Sequence, residues 1–212
     1  MAGGARRVLV IATHNAGKLE EFADLLKGYD FEIVGAGALG LGVPEETEAD
    51  FVGNAALKAL AAARASGCVA LADDSGLCID ALGGAPGVRS ADWAETPAGR
   101  DFGVAIGRVE AALRESGAPR PWAAAFRCAL ALAWPDGRRV TAEGSVRGEI
   151  VLPGRGSLGH GYDPIFRAEG EEKGFGEIDR WVKNRQSHRA RALAALEPAL
   201  RDVSRETSAG GA

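Results

Sequence analysis

The sequence predicts an α/β protein built on a mixed sheet, and three observations carry that expectation. In the first half, short apolar runs that read as buried strands alternate with segments of helical period. In the second half, strand-like runs follow one another across a tight turn, the pattern of an antiparallel hairpin. The chain has 212 residues, 46% of them hydrophobic, enough for a full core without disulfide or metal staples. Residues 6–205 are expected to form one domain, with disordered tails at 1–5 and 206–212, which are rich in Gly, Ala and Ser.

The elements follow in order. An apolar run over 8–12 reads as a strand, and the polar turn Thr13-His14-Asn15-Ala16-Gly17-Lys18 leads into a helix over 18–28. A short strand at 31–34 precedes a Gly-rich loop through Pro44. Residues 48–66 read as a helix, with Phe51, Ala55, Leu57 and Leu60 suitably spaced and Gly67 as its stop. The run 69–72 is a buried strand, 73–76 a polar turn, 77–82 a second apolar run, and 83–100 a loop punctuated by Gly and Pro. A helix over 102–116 is followed by a strand over 123–134, which turns at Pro135-Asp136-Gly137 into a strand over 138–143. A strand over 145–152, a glycine-rich loop over 154–161 and a last helix over 187–196 complete the order.

The bulk numbers exclude several functions. A formal net charge of −4 gives no general attraction to nucleic acid or to anionic membrane, while leaving room for a local pocket that takes a free nucleotide. No leader-like segment and no apolar stretch long enough to span a bilayer is present, and Cys68, Cys78 and Cys128 suggest neither a disulfide framework nor a zinc site. The expected location is the cytoplasm.

Five polar constellations sit where chemistry can be placed. The turn from Thr13 to Lys18 points backbone N–H groups and a helix N-terminus above a strand end, which suits a phosphate; an ordinary βα connection with an exposed lysine is the alternative. Asp73 and Asp74, followed by Ser75, leave a buried strand together, and such a repelling pair is best tolerated beside a divalent cation, or else as a solvated capping turn. Glu45 and Glu46 belong to an acidic run before a helix, either as metal ligands or as charges that favour its N-terminus. His160, Gly161, Tyr162 and Asp163 offer an aromatic ring for a flat base, or a structural Tyr. Lys183, Ser187, His188 and Arg189 open the last helix, with Ser187 as its N-cap and His188 and Arg189 in its first turn, where cations oppose the helix dipole unless an anion or a carbonyl-rich ligand meets them; the other reading is a solvated basic face.

Taken in this order, the segments V-L-V-I-A-T-H-N-A-G-K-L-E-E, P-E-E-T, F-V-G-N-A-A-L-K-A, A-D-D-S-G-L, L-G-G-A-P-G-V-R-S-A, G-H-G-Y-D-P-I-F and K-N-R-Q-S-H-R-A-R-A-L resemble the inosine/xanthosine triphosphate pyrophosphatase family of house-cleaning nucleotide hydrolases over roughly 7–197. That resemblance implies an elongated mixed sheet flanked by helices, two lobes around a central cleft, a homodimer, a requirement for Mg2+, and hydrolysis of ITP, dITP or XTP to the monophosphate and pyrophosphate. It implies that Thr13, His14, Asn15, Ala16, Gly17 and Lys18 hold the triphosphate. Asp74 becomes the acid–base residue, Glu45 or Glu46 joins it at the metal, and Ser75 lies against the substrate. Tyr162 stacks on the base with His160 and Gly161 nearby, Asp163 belongs to the nucleoside pocket, and Lys183, Ser187, His188 and Arg189 complete the contacts. The chain departs from the family's usual pattern at His14, His160 and Gln186.

Overall fold

The computed structural model describes residues 6–205; the tails expected at 1–5 and 206–212 lie outside the described residues. Strand β1 (Arg7–Ile11) leads into helix α1 (Ala16–Leu25), strand β2 (Phe31–Gly35), helix α2 (Phe51–Ser66) and the long strand β3 (Val69–Ile79). A small hairpin, β4 (Glu95–Thr96) and β5 (Gly99–Arg100), precedes α3 (Phe102–Ser116), β6 (Trp122–Ala133), β7 (Arg139–Ile150), β8 (Phe166–Ala168), α4 (Arg180–Gln186) and α5 (His188–Arg205). Six strands form one sheet in the order β2-β1-β3-β6-β7-β8. β1 runs parallel to both of its neighbours, and β7 pairs antiparallel with β8, so the sheet is mixed as expected.

The chain divides into two compact units. The first holds the chain up to Asp74, then 129–143 and the part from Ala192 onward; the second holds 75–128 and 144–191. β3, β6 and β7 each contribute residues to both. The core of the first unit is made of small side chains: Ala55, Ala59 and Ala63 of α2 pack with Val10, Ala70, Ala72, Ala129 and Ala131 of the strands, which lets helix and sheet approach closely. The second unit is larger-grained, with Leu77, Ile79, Val109, Leu113, Phe126, Phe166 and Phe175 buried together and the Phe126 and Phe166 rings meeting edge to face at 4.7 Å.

Three expectations are corrected. Residues 73–76 are not a turn, because β3 runs unbroken through both acids; each carboxylate has a lysine partner, so the strand tolerates them inside. The runs 138–143 and 145–152 are one strand, β7, with Gly144 inside it. The last helix begins where expected, at His188 behind its Ser187 cap, with Lys183 on the separate short helix α4. It outruns the expected end at 196, passing through Pro198, because Leu200 and Val203 keep its buried stripe going to Arg205.

Candidate active site

In the first unit, the segment between β1 and α1 is ordered by its own polar groups. Asn15 caps α1, its Oδ1 accepting from the Lys18 N–H at 3.2 Å, while the Asn15 N–H donates to Thr13 Oγ1 at 3.2 Å. His14 Nε2 donates to the Leu41 carbonyl at 2.8 Å, tying this turn to the loop after β2. The first-turn N–H groups of α1 follow directly at Ala16 and Gly17. Lys18 Nζ reaches both carboxylate oxygens of Asp73, at 3.1 and 3.0 Å. The phosphate-loop candidates and the first of the two β3 acids are therefore physically joined.

The second acid anchors another cluster. Lys58 Nζ, on α2, lies 3.1 Å from Asp74 Oδ1 and 2.8 Å from Glu46 Oε1, so one ammonium gathers carboxylates 28 positions apart in the chain. Asn54, one helical turn earlier on the same face, donates to Asp74 Oδ2 at 3.4 Å. Glu46, though its side chain is 41% exposed, is thereby linked to Asp74 through one ammonium. Burial pushes Asp74 above the ordinary carboxylate range; the charge of Lys58 pulls the other way and that of Glu46 adds to the rise. Burial pulls Lys58 downward, but Asp74, Asp73 and Glu46 together outweigh it, and the ammonium is held more firmly charged than usual. The result is a carboxylate more ready than usual to accept a proton beside a fixed cation.

In the second unit, Asp163 is the organising residue. Its buried carboxylate receives the His160 N–H at 2.8 Å and forms an ion pair with Lys183, whose ammonium also lies 5.7 Å from the Phe175 ring centroid. Arg189 Nη2 donates to Ser75 Oγ at 3.3 Å, and the His188 ring lies parallel to Phe126 at 5.0 Å. Two candidates take other roles. Tyr162 is 2% exposed, its hydroxyl donates to the Ser90 carbonyl at 2.8 Å and Phe102 meets its ring edge-on, so its faces belong to the core and the exposed flat ring of the motif is His160. Ser187 is fully buried and its hydroxyl is committed to the backbone, donating to the Asn184 carbonyl and accepting from the Ala190 N–H, because it joins two helices and caps the second.

The sequence profile of the Ham1 family matches residues 9–199. The chain belongs to the Ham1 family. Among Ham1 relatives, the dITP/XTP pyrophosphatase of Ruegeria pomeroyi is 58% identical over 185 residues, 87% of this chain and 91% of the relative. That of Caulobacter vibrioides is 56% identical over 194 residues, 92% and 98% of the two chains. Among solved structures, a HAM1 protein from Coxiella burnetii aligns with a TM-score of 0.84 at 35% identity, covering 92% of this chain and 99% of that one. The nucleoside-triphosphatase, or dITP/XTP pyrophosphatase, of Mycobacterium abscessus aligns with a TM-score of 0.71 at 37% identity, covering 90% and 99%.

Asn54 and Lys58 were not singled out from the sequence. The signal was available: they sit at i and i+4 on the helix face that also carries Ala55, Ala59 and Ala62, and Lys is rare in this chain, 5 against 20 Arg. A lysine inside an alanine stripe has to find a buried anion.

Proposed function

We propose that this chain hydrolyses the deaminated purine nucleoside triphosphates dITP, ITP and XTP to the nucleoside monophosphate and pyrophosphate, clearing them from the nucleotide pool. The observation that carries the reading is Asp74, a buried carboxylate of raised proton affinity held between the amide of Asn54 and the ammonium of Lys58, in a family whose curated relatives are named dITP/XTP pyrophosphatases.

Breaking the bond between the α- and β-phosphates needs a positioned water at the α-phosphorus and compensation of charge on the departing pyrophosphate. Asp74 orients the water and takes its proton as the new P–O bond forms and the bond to the β-phosphate breaks, a contribution of about 10²–10⁴-fold. Lys18 and Lys58 supply positive charge, and Thr13, Asn15 and the N–H groups that open α1 take phosphate oxygens. Lys18 exchanges its hold on Asp73 for the phosphate, one anion replacing another.

Magnesium is proposed on the donor set. Two carboxylates, Asp74 and Glu46, converge on a single cation, and hard oxygen donors few in number suit an ion that keeps waters and takes its remaining ligands from substrate phosphates. Among the described residues no group of three His, Cys, Asp or Glu is gathered for a metal. When bound, the ion supplies charge neutralisation at the phosphates.

For the base, we assign the exposed imidazole of His160 as the stacking surface and the Arg189 guanidinium, with His188, as donors to a 6-oxo group. Adenine presents a donor at that position, and a mispaired buried polar group costs about 1–3 kcal/mol, roughly tenfold or more in discrimination. A homodimer is proposed on the family resemblance alone. A cytoplasmic location is proposed on the three cysteines, odd in number, widely spaced and in no C-x-x-C pair; among the described residues no helix is long and apolar enough to cross a membrane.

The deciding experiment incubates purified protein with ITP and magnesium and separates the products. IMP with pyrophosphate is expected; IDP with phosphate, or no turnover, overturns the reading. A panel of dITP, XTP, dUTP, GTP and ATP then ranks the bases.

A further inference from the structure

The acidic segment that carries Glu46 has to be held against β3, and two features at the start of α2 do so. Asn54, 2% exposed, grips the backbone of Glu48 at two points: its Oδ1 accepts from the Glu48 N–H at 3.0 Å and its Nδ2 donates to the Glu48 carbonyl at 3.3 Å. The pairing copies the two-bond exchange between facing residues of adjacent strands, with a side-chain amide in place of one backbone. The same Nδ2 lies 3.4 Å from Asp74 Oδ2. One residue earlier, Gly53 leaves room for the segment to lie down: a Cβ there would come within 2.7 Å of Glu48 Cβ and 2.8 Å of its Cγ, closer than side-chain carbons approach. Neither residue takes a proton or binds phosphate in the chemistry above, and both bear on Glu48, with Thr47 alone between it and Glu46.

We propose that Asn54 is a positioning residue that sets Glu46 against Asp74 by clasping the backbone of Glu48, with Gly53 as the gap the clasp requires. The inference rests on the function proposed above. Its physical content is that hydrolysis needs Glu46 at the distance from Asp74 that one ammonium can bridge, and that the clasp on Glu48 holds the backbone from which Glu46 reaches Lys58. Loss of the clasp leaves nucleotide binding by Thr13, Asn15 and Lys18 in place and lowers turnover, because small displacements of reacting groups cost rate more than affinity.

The test uses the full chain with ITP and magnesium and compares Asn54→Ala, Gly53→Ala, Glu46→Gln and the double variant Asn54→Ala/Glu46→Gln, reading kcat, KM and the melting temperature of each. Asn54→Ala is expected to lower kcat about 10–100-fold with KM within roughly threefold of wild type. Gly53→Ala should do the same, and because the helix propensity of Ala offsets part of the lost bonds it should melt higher than Asn54→Ala; it therefore tests the clasp even where Asn54→Ala is poorly folded. The double variant should be no slower than the slower single variant, because both changes remove one arrangement. Multiplicative losses in the double variant, or wild-type kcat in Gly53→Ala, overturn the proposal. Absence of ITP hydrolysis in the wild-type chain overturns the functional reading instead, so the two failures are distinct.

Discussion

Asp74 and its neighbours show how much a single strand position can hold. Asp74→Asn keeps the shape and the bond from Asn54 but removes the proton acceptor, so we expect an intact fold and kcat for ITP lowered by at least about 10²-fold; wild-type turnover would refute the assignment. Tyr162 gives a second expectation at this scale, in stability. Burial pushes its phenol from 10.0 up to about 12, partly offset by Arg108, so the folded state favours the neutral form. The stabilisation that comes from this shift is complete below about pH 10 and is lost as pH rises through about 12. Tyr162→Phe should flatten the fall of the denaturant midpoint across that window, and an unchanged slope would show that the hydroxyl has no part in it. Among individual residues, the sequence pointed to Asp74, Lys18 and Arg189 by their company in polar segments. Ser187 caps α5, as its place before the last helix suggests, whereas the sequence leaves Tyr162 open between a ring for the base and a structural Tyr, because the way that side chain faces depends on Ser90 and Phe102, both distant in the chain.

At the scale of elements, boundaries set by local chemistry were readable and those set by partners were not. Helix α3 starts at the Asp101 cap and stops at Gly117 in a left-handed conformation, both visible as residue types. The continuity of β3 through Asp73-Asp74-Ser75 was not visible, since two acids look like a turn until lysines from α1 and α2 are placed on them. β3 also depends on Gly76, where a Cβ would lie 2.2 Å from the Gly87 carbonyl oxygen and 2.4 Å from Ser90 Oγ. Gly76→Ala must therefore displace the backbone of the 87–90 turn, which donates Ser90 Oγ to Gly87 and receives the Leu77 N–H. A loss of about 1–3 kcal/mol is expected in chemical denaturation; an unchanged midpoint would mean that the turn yields freely.

At the scale of the whole molecule, three strands belong to both compact units, so neither unit can unfold without fraying strands of the other. We expect one cooperative transition, with near- and far-ultraviolet signals coincident in denaturant; two separated transitions would show that the units melt independently. The sequence by itself determined the α/β class, the mixed sheet, the Gly67 stop of α2, the Ser187 cap of α5 and the membership of the polar segments in one ordered set, because these follow from periodicity, turn chemistry and motif order along the chain. Only the tertiary structure decided which carboxylates share a cation, that Glu46 meets Asp74 through Lys58, and that Asn54 joins Asp74 to the backbone of Glu48. Those outcomes depend on the approach of α2 to β3 through a layer of alanines, and a buried charge is defined by the partner that packing brings to it, not by its neighbours in the chain.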